Sequence, residues 1–133
     1  MSEENVQLAY RGHETFNRRD LEAFLEQMDP DTEFMPYEIA VQGGTPYRGH
    51  EGMRAWWRET LEVIPDFTVD LTEVVDLGET VYVKGHIHGH GAGSGAAFER
   101  GLWGLMEFRS GKQVRYRTFA NEAEALEAAG LSE

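Results

Sequence analysis

The chain has 133 residues, no cysteine and a formal net charge of −12 at pH 7. The lack of cysteine excludes disulfides, thiolate metal ligands and a cysteine nucleophile. The acidic surplus argues against nucleic-acid binding, which requires a basic surface. The length fits one compact domain, so we expect residues 1–133 to fold as a single unit.

The amino-terminal segment is acidic and lacks the apolar core of a signal peptide. No apolar run approaches the roughly 18–20 residues that a membrane span requires. The absence of cysteine also fits a reducing compartment. We therefore expect a cytoplasmic protein without a membrane partner.

The first part of the chain has the pattern of two consecutive helices. Apolar residues at three- and four-residue spacing predict a helix over residues 4–17, with His13 on its buried stripe. Asp20 is a suitable N-cap for a second helix. This helix is expected to begin at Leu21 and to end at Pro30, whose ring blocks further helical hydrogen bonding.

The next part of the chain is expected to hold one strand and one helix. Residues 31–41 predict a strand that is irregular at Pro36, and the glycine- and proline-rich residues 42–49 predict a loop. Residues 50–64 then predict a third helix, which Pro65 stops.

The second half of the chain alternates in hydropathy with a period of two, which is typical of β-strands. Four strands are predicted, over residues 67–75, 80–90, 97–108 and 113–119. Their links are short, so neighbouring strands should pair antiparallel as a meander before a last short helix. The chain is therefore expected to be α+β, with three helices on a curved sheet that encloses a cone-shaped pocket.

Three segments carry a family resemblance: ENVQLAYRGHETFNRRDLEAFLEQMDPDTEF, YRGHEGMRAWW and RSGKQVRYRTFAN. On these segments the chain resembles the SnoaL-like branch of the nuclear transport factor 2-like (NTF2-like) superfamily. The resemblance implies a cone-shaped α+β fold, a homodimer formed through the sheet face, and no cofactor. It leaves the activity open, because the fold hosts isomerases, cyclases, hydrolases and non-enzymatic binders.

The best-known catalytic sets of the family are not intact here. The epoxide-hydrolase pattern implies acids where this chain has Thr118 and Asn121. The ketosteroid-isomerase pattern implies a tyrosine near Gly12 and a base near Pro36. The polyketide-cyclase pattern implies an acid on a late strand, and the nearest candidate here is Glu107. The alternation of the strand does not decide whether its side chain faces the cone or the outside.

Charged and titratable side chains supply the candidates for chemistry. His13 could act as an acid or base near neutral pH, although a hydrogen-bonded core histidine is the alternative. Glu38 could be a base if burial raises the pKa of its carboxyl, although a solvent-facing acid is the alternative. We take both as candidate catalytic residues. Arg100 is expected to neighbour Arg115 and Arg117, either in salt bridges or in anion binding.

Apolar and aromatic side chains near the expected mouth suit a flat hydrophobic ligand, such as a polyketide or terpenoid. The candidate ligand contacts are Tyr37, Tyr47, Trp56, Trp57, Met106 and Phe108. If Trp57, Met106 and Phe108 instead fill the cone, the protein would be an interaction module without a pocket.

Three histidines alternate along the second predicted strand of the meander. His86, His88 and His90 should share one face with Tyr82 and Lys84, opposite the valine-rich face that lines the core. A His-x-His pair can bind zinc, but a catalytic zinc site requires a third protein ligand, and none stands out. We expect a solvated or dimer-interface strand and no metal site.

Two functions follow from these observations. The first is a cofactor-independent isomerase, cyclase or hydrolase that holds a small hydrophobic molecule and moves a proton with His13 or Glu38. The second is a ligand-binding or accessory protein on the same fold, without turnover. The loss of the known catalytic sets favours the second, and a histidine on the pocket stripe favours the first.

Overall fold

The computed structural model describes residues 2–131. The helices are α1 (Ser2–Asn17), α2 (Leu21–Glu26), α3 (Tyr37–Ala40), α4 (Gly49–Val63) and α5 (Glu122–Ala129). The strands are β1 (Met28–Met35), β2 (Tyr47–Arg48), β3 (Thr68–Asp76), β4 (Thr80–His90), β5 (Ala97–Arg109) and β6 (Lys112–Thr118). This element order confirms the predicted α+β class.

The six strands form one open sheet in the order β2-β1-β6-β5-β4-β3. Strands β3 to β6 pair antiparallel with one another in chain order, which confirms the predicted meander. Strand β1 pairs in parallel with β6, a pairing that joins the first strand to the last long one and that local patterns did not predict. Register shifts within the β3–β4 and β5–β6 pairs bend the sheet.

One of these bends requires a glycine. The β3–β4 register shifts between Leu71 and Glu73, and Gly85 lies opposite Leu71. A Cβ atom on Gly85 would lie 2.2 Å from the carbonyl oxygen of Asp70. The two backbones can therefore approach each other at this point only because residue 85 has no side chain.

The second helix confirms one prediction and contradicts another. The Asp20 carboxylate accepts a hydrogen bond from the backbone N–H of Ala23 at 3.2 Å, as expected of an N-cap. The prediction that Pro30 ends the helix was wrong, because α2 ends at Glu26 and Pro30 lies inside β1. The β1–β6 ladder is irregular between Met28 and Glu33, where a residue without an N–H is tolerated.

The prediction of a strand through residue 41 was also wrong. Strand β1 ends at Met35, and Pro36 is the N-cap of the single-turn helix α3. The backbone N–H of Tyr37 donates to the Thr118 hydroxyl at 2.9 Å, which fixes the start of this turn against β6. Glu38 therefore lies on a short helix and not on an edge strand.

The two faces of the sheet are covered by different elements. Helices α1, α2 and α4 pack on the inner face, where Val81, Val83 and Ile87 are buried in the main core. On the outer face His86, His88 and His90 are exposed, as alternation predicts. Tyr82 shares that face but is buried, because α5 covers this end of the sheet and forms a second small core around Tyr82, Leu105 and Ala125.

Candidate ligand cavity

The helices and the inner face of the sheet enclose a cavity of about 220 Å³ that opens to the surface. Its walls are mainly apolar and aromatic, with a few polar groups at defined positions. Phe16, Phe24, Phe34, Met53, Trp56 and Phe67 form much of the apolar wall. This combination is typical of small-molecule sites.

A histidine–tyrosine pair lies in the wall of the cavity. The Nδ1 atom of His13 lies 2.9 Å from the carbonyl oxygen of Ala9, and its Nε2 atom lies 2.8 Å from the Tyr116 hydroxyl. A carbonyl oxygen can only accept, so Nδ1 carries the proton and donates to Ala9. In neutral His13, Nε2 is therefore the acceptor and the Tyr116 O–H donates to it.

The surroundings of this pair favour its neutral form. Burial lowers the pKa of the His13 imidazole, and the hydrogen bond to Ala9 opposes this effect only in part. Burial also raises the pKa of the Tyr116 phenol. At neutral pH the pair is thus an unprotonated base hydrogen-bonded to a neutral phenol, and a proton accepted by the phenol oxygen can pass to Nε2.

Packing holds the Tyr116 ring in place. It meets the His13 ring edge-on at 5.6 Å between centroids, and the Phe34 ring lies 5.2 Å from it on another side. Gly104 on β5 makes room for the ring, since a Cβ atom there would lie 2.7 Å from Cε1 of Tyr116.

A second polar group in the cavity wall is an ion pair. The Nη2 atom of Arg100, on β5, lies 2.7 Å from the Glu38 carboxylate. The guanidinium also lies over the Tyr37 ring, 4.9 Å from its centroid. Within the described part of the chain, the buried Nε of Arg100 has no hydrogen-bond partner.

Gln113 contributes a third polar group. Its side chain is buried and lines the cavity near the start of β6. Among the residues that the structure describes, the Nε2 atom of this amide has no hydrogen-bond partner. The cavity wall thus contains an amide with unused hydrogen-bonding capacity.

The structure brings five of the eight predicted site residues to the cavity wall. They are His13, Glu38, Tyr47, Trp56 and Met106. The other three are not in the wall. Tyr37 lies beside it under Arg100, Trp57 packs its ring on Phe16 and Phe24, and Phe108 is buried in the core.

The expectation of an arginine cluster was wrong. Arg115 and Arg117 flank Tyr116 on β6, so they project to the outer face when Tyr116 faces the cavity. Arg100 lines the cavity and is therefore on the opposite face of the sheet. Glu107 lies between the core residues Met106 and Phe108 and so also points away from the cavity.

Two cavity residues were missed as site residues in the sequence, Tyr116 and Gln113, whereas Arg100 was considered only for salt bridges or anion binding beside Arg115 and Arg117. Alternation on the last strand contained the signal for Tyr116, because a tyrosine between two arginines must face the core if they face solvent. No local pattern indicated that His13 would contact it. That contact depends on how α1 crosses the sheet.

Two of the three histidines of β4, His88 and His90, lie within hydrogen-bonding distance of acidic side chains. His88 Nε2 lies 2.8 Å from the Asp70 carboxylate, and His90 Nδ1 lies 2.7 Å from the Asp66 carboxylate. Within residues 2–131 there is no group of three or more His, Cys, Asp or Glu side chains that could hold a metal ion. In the same residues, no helix is long and apolar enough to cross a membrane.

The architecture defines a class of protein: helices packed on the inner face of a curved, open six-stranded sheet, with a cavity between the two layers. Comparison with known families agrees. Residues 9–116 match the SnoaL-like domain, and the chain belongs to this family. Among proteins of curated function, none matches the sequence.

Solved structures share the fold over nearly the whole chain. An NTF2-like protein of unknown function from Burkholderia pseudomallei is 23% identical, with 93% of this chain and 95% of that chain covered and a TM-score of 0.78. IdmH, a putative polyketide cyclase from Streptomyces antibioticus, is 25% identical, with 93% and 96% covered and a TM-score of 0.75. A putative SnoaL-like polyketide cyclase from Jannaschia sp. CCS1 is 19% identical, with 99% and 94% covered and a TM-score of 0.78.

Proposed function

We propose that this protein binds a small, ring-containing, oxygenated molecule in its cavity and catalyses proton transfer at the ligand through the His13–Tyr116 pair. The observation that carries the proposal is the hydrogen bond between Nε2 of His13 and the Tyr116 hydroxyl in an apolar wall. The description of IdmH as a putative polyketide cyclase supports ligands of the polyketide class.

The proposed step begins at an acidic O–H of the ligand, such as an enol or a phenol. The ligand transfers this proton to the Tyr116 oxygen, while the Tyr116 proton passes to Nε2 of His13. The products are a ligand enolate or phenolate and an imidazolium. The imidazolium then returns its proton through Tyr116. Protonation of the enolate at carbon gives isomerisation, whereas attack of the enolate carbon on a carbonyl of the same molecule, with the proton going to that carbonyl's oxygen, gives cyclisation. In the reverse of the isomerisation the pair takes a proton from the carbon next to a carbonyl and supplies it to the carbonyl oxygen.

The volume of the cavity limits the ligand. An engineered cavity of about 150 Å³ accommodates benzene, and typical pockets for drug-sized ligands span roughly 300–1,000 Å³. A cavity of about 220 Å³ lies between these values. We therefore propose a ligand of about two fused rings.

A binding protein without turnover is the second candidate. The observation that favours it is the ion pair between Glu38 and Arg100, because the second carboxylate proposed as a base from the sequence is engaged with a guanidinium and not with the His13–Tyr116 pair. Glu38 then has a binding role and no catalytic one.

The test uses 2-tetralone, a bicyclic ketone with exchangeable protons next to its carbonyl. Binding is measured by calorimetry, and deuterium incorporation from D₂O is followed by NMR. Catalysis predicts exchange faster than in buffer, with a loss of about 10²-fold or more in His13→Gln and Tyr116→Phe. His86→Gln, on the exposed outer face, is the matched control. Binding without faster exchange would favour the second candidate, and no binding would contradict both.

We also propose that the protein is a homodimer that uses the outer sheet face. Helix α5 covers one end of this face, which leaves the exposed part around His86 and His88 for a partner. Sedimentation equilibrium tests this, and His86→Glu should weaken a dimer by adding charge to the contact. A monomer at all concentrations would contradict it.

A further inference from the structure

The cavity contains one positively charged group, and the proposed proton transfer does not use it. Of the described residues that line the cavity, Arg100 is the only lysine or arginine. Its side chain is 25% exposed and lies between the rings of Tyr37 and Phe98, at 4.9 and 6.0 Å from their centroids. A guanidinium that is stacked in this way has lost much of its water and favours a bound anion.

The partner of Arg100 holds it by one contact. The Glu38 carboxylate lies 2.7 Å from Nη2, and the neighbouring Nε has no hydrogen-bond partner within the described chain. A carboxylate binds a guanidinium best by accepting from two N–H groups on one edge. The ion pair with Glu38 involves only Nη2, so the Nε–H group on the same edge of the guanidinium remains without a partner in the described chain.

Glu38 is also held less firmly than Arg100. Its side chain is 45% exposed, and it projects from the single-turn helix α3, which is followed by exposed residues 41–45. Arg100, in contrast, projects from a regular stretch of β5, where it pairs with Ile87 of β4. An anion that enters the cavity can therefore displace Glu38 while Arg100 stays in place.

The other charges of the cavity fit an anion. Glu38 is the only acidic side chain among the described lining residues, and burial lowers the pKa of His13 so that it is neutral near pH 7. When Glu38 moves away, the cavity keeps one positive charge. This local charge contrasts with the net charge of −12 on the whole chain.

We propose that the natural ligand carries a carboxylate that replaces Glu38 on Arg100. Before the ligand binds, the Glu38 carboxylate occupies the position on Arg100 that the ligand carboxylate later takes. The proposal rests on the proposed function, since it names the class of molecule that the same cavity binds. Arg100 then fixes one end of the ligand, and the ring system extends toward the His13–Tyr116 pair.

A matched pair of probes tests this proposal. 2-Naphthoate and 2-naphthamide have the same bicyclic ring and nearly the same shape, but only the first is an anion at pH 7. Their affinities are measured by calorimetry for the wild type and for Arg100→Gln, Arg100→Lys and Glu38→Gln. Arg115→Gln, on the outer face, is the control, and circular dichroism checks that each variant is folded.

The wild type is expected to bind naphthoate about tenfold or more tightly than naphthamide, as charge-assisted hydrogen bonds require. Arg100→Gln should abolish this preference, because it should weaken naphthoate binding much more than naphthamide binding. Arg100→Lys should keep part of the preference, because lysine retains the positive charge but lacks the paired N–H donors of the planar guanidinium. Glu38→Gln should tighten naphthoate binding several-fold, since the competing carboxylate is gone.

Two results would overturn the proposal, and they have different meanings. If both probes bind equally well and Arg100→Gln changes neither affinity, the carboxylate site is refuted while ligand binding in the cavity stands. If neither probe binds to any variant, the carboxylate site and the proposed function fail together.

Discussion

Nε2 of His13 lies 2.8 Å from the hydroxyl oxygen of Tyr116, although 103 residues separate the two in the chain. The contact joins the first helix to the last strand across the cavity wall. The Nδ1–H group of His13 donates to the carbonyl oxygen of Ala9. In the neutral ring Nε2 therefore carries no proton and accepts from the Tyr116 O–H. His13 therefore presents its basic nitrogen to the phenol and, through it, to the cavity.

Removal of the phenol hydroxyl tests what this contact contributes. Tyr116→Phe leaves Nε2 of His13 as an unpaired acceptor in a mostly buried position, which should lower the free energy of unfolding by about 1–3 kcal/mol. Urea denaturation measures this loss. Tyr10→Phe, on the exposed part of α1, is the control and should change stability by less than about 0.5 kcal/mol. Equal stability of Tyr116→Phe and the wild type would contradict the hydrogen bond.

The lowered pKa of His13 makes stability depend on pH in a defined direction. Burial lowers the imidazole pKa in the folded protein below the ordinary value of 6.5. Below pH 6.5 the unfolded chain therefore binds a proton at this residue that the folded protein does not bind. The contribution of neutral His13 to the free energy of unfolding is fully present above pH 6.5. It is lost as the pH falls toward the lower pKa of the folded protein, and the free energy of unfolding then changes by up to about 1.4 kcal/mol per pH unit.

The measurement is a comparison of the wild type with His13→Gln by urea denaturation between pH 5 and pH 8. The difference between the two slopes below pH 6.5 isolates the imidazole, because all other titrating groups are shared. A wild-type slope no steeper than that of the variant would show that His13 is as easily protonated in the folded protein as in the unfolded chain.

Much of the fold was predictable because it depends on local periodicity. The period-two pattern predicted the strands that became β3 to β6, and Asp20 predicted the start of α2. The end of α2 at Glu26 was not predictable, since Pro30 is a helix breaker in most contexts and is tolerated here by an irregular β1–β6 ladder. Parallel pairing of β1 with β6 depends on tertiary structure and leaves no local pattern.

The candidate site was predictable only in part, for the same reason. His13 could be placed on a buried helical stripe from spacing alone. The partner of Glu38 could not be assigned, because Arg100 was expected beside Arg115 and Arg117. Only the α3 turn, which follows from the Tyr37–Thr118 hydrogen bond, brings Glu38 to Arg100.

A methyl group at residue 104 should displace the Tyr116 ring. In Gly104→Ala the new Cβ atom would lie 2.7 Å from Cε1 of Tyr116 and 3.3 Å from a methyl carbon of Val83. We expect a loss of about 1–3 kcal/mol in stability from overpacking and, under the proposed function, slower exchange of 2-tetralone. Thermal denaturation and the NMR exchange assay measure the two effects. Gly78→Ala, where a Cβ atom would meet nothing within 4 Å, is a weaker control because its φ is +95°.

The two adjacent tryptophans of α4 should separate packing from ligand binding. Trp56 lines the cavity, whereas Trp57 packs on Phe16 and Phe24, with ring centroids 5.1 and 4.9 Å away, and does not line it. Trp56→Leu and Trp57→Leu should both lower the free energy of unfolding, by up to about 3 kcal/mol, since each removes aromatic contacts. Calorimetry with 2-naphthoate should detect changed affinity only for Trp56→Leu, because that substitution alone alters the wall. If Trp57→Leu weakened binding as much as Trp56→Leu at a temperature where both variants are folded, the ligand would occupy a different space from this cavity.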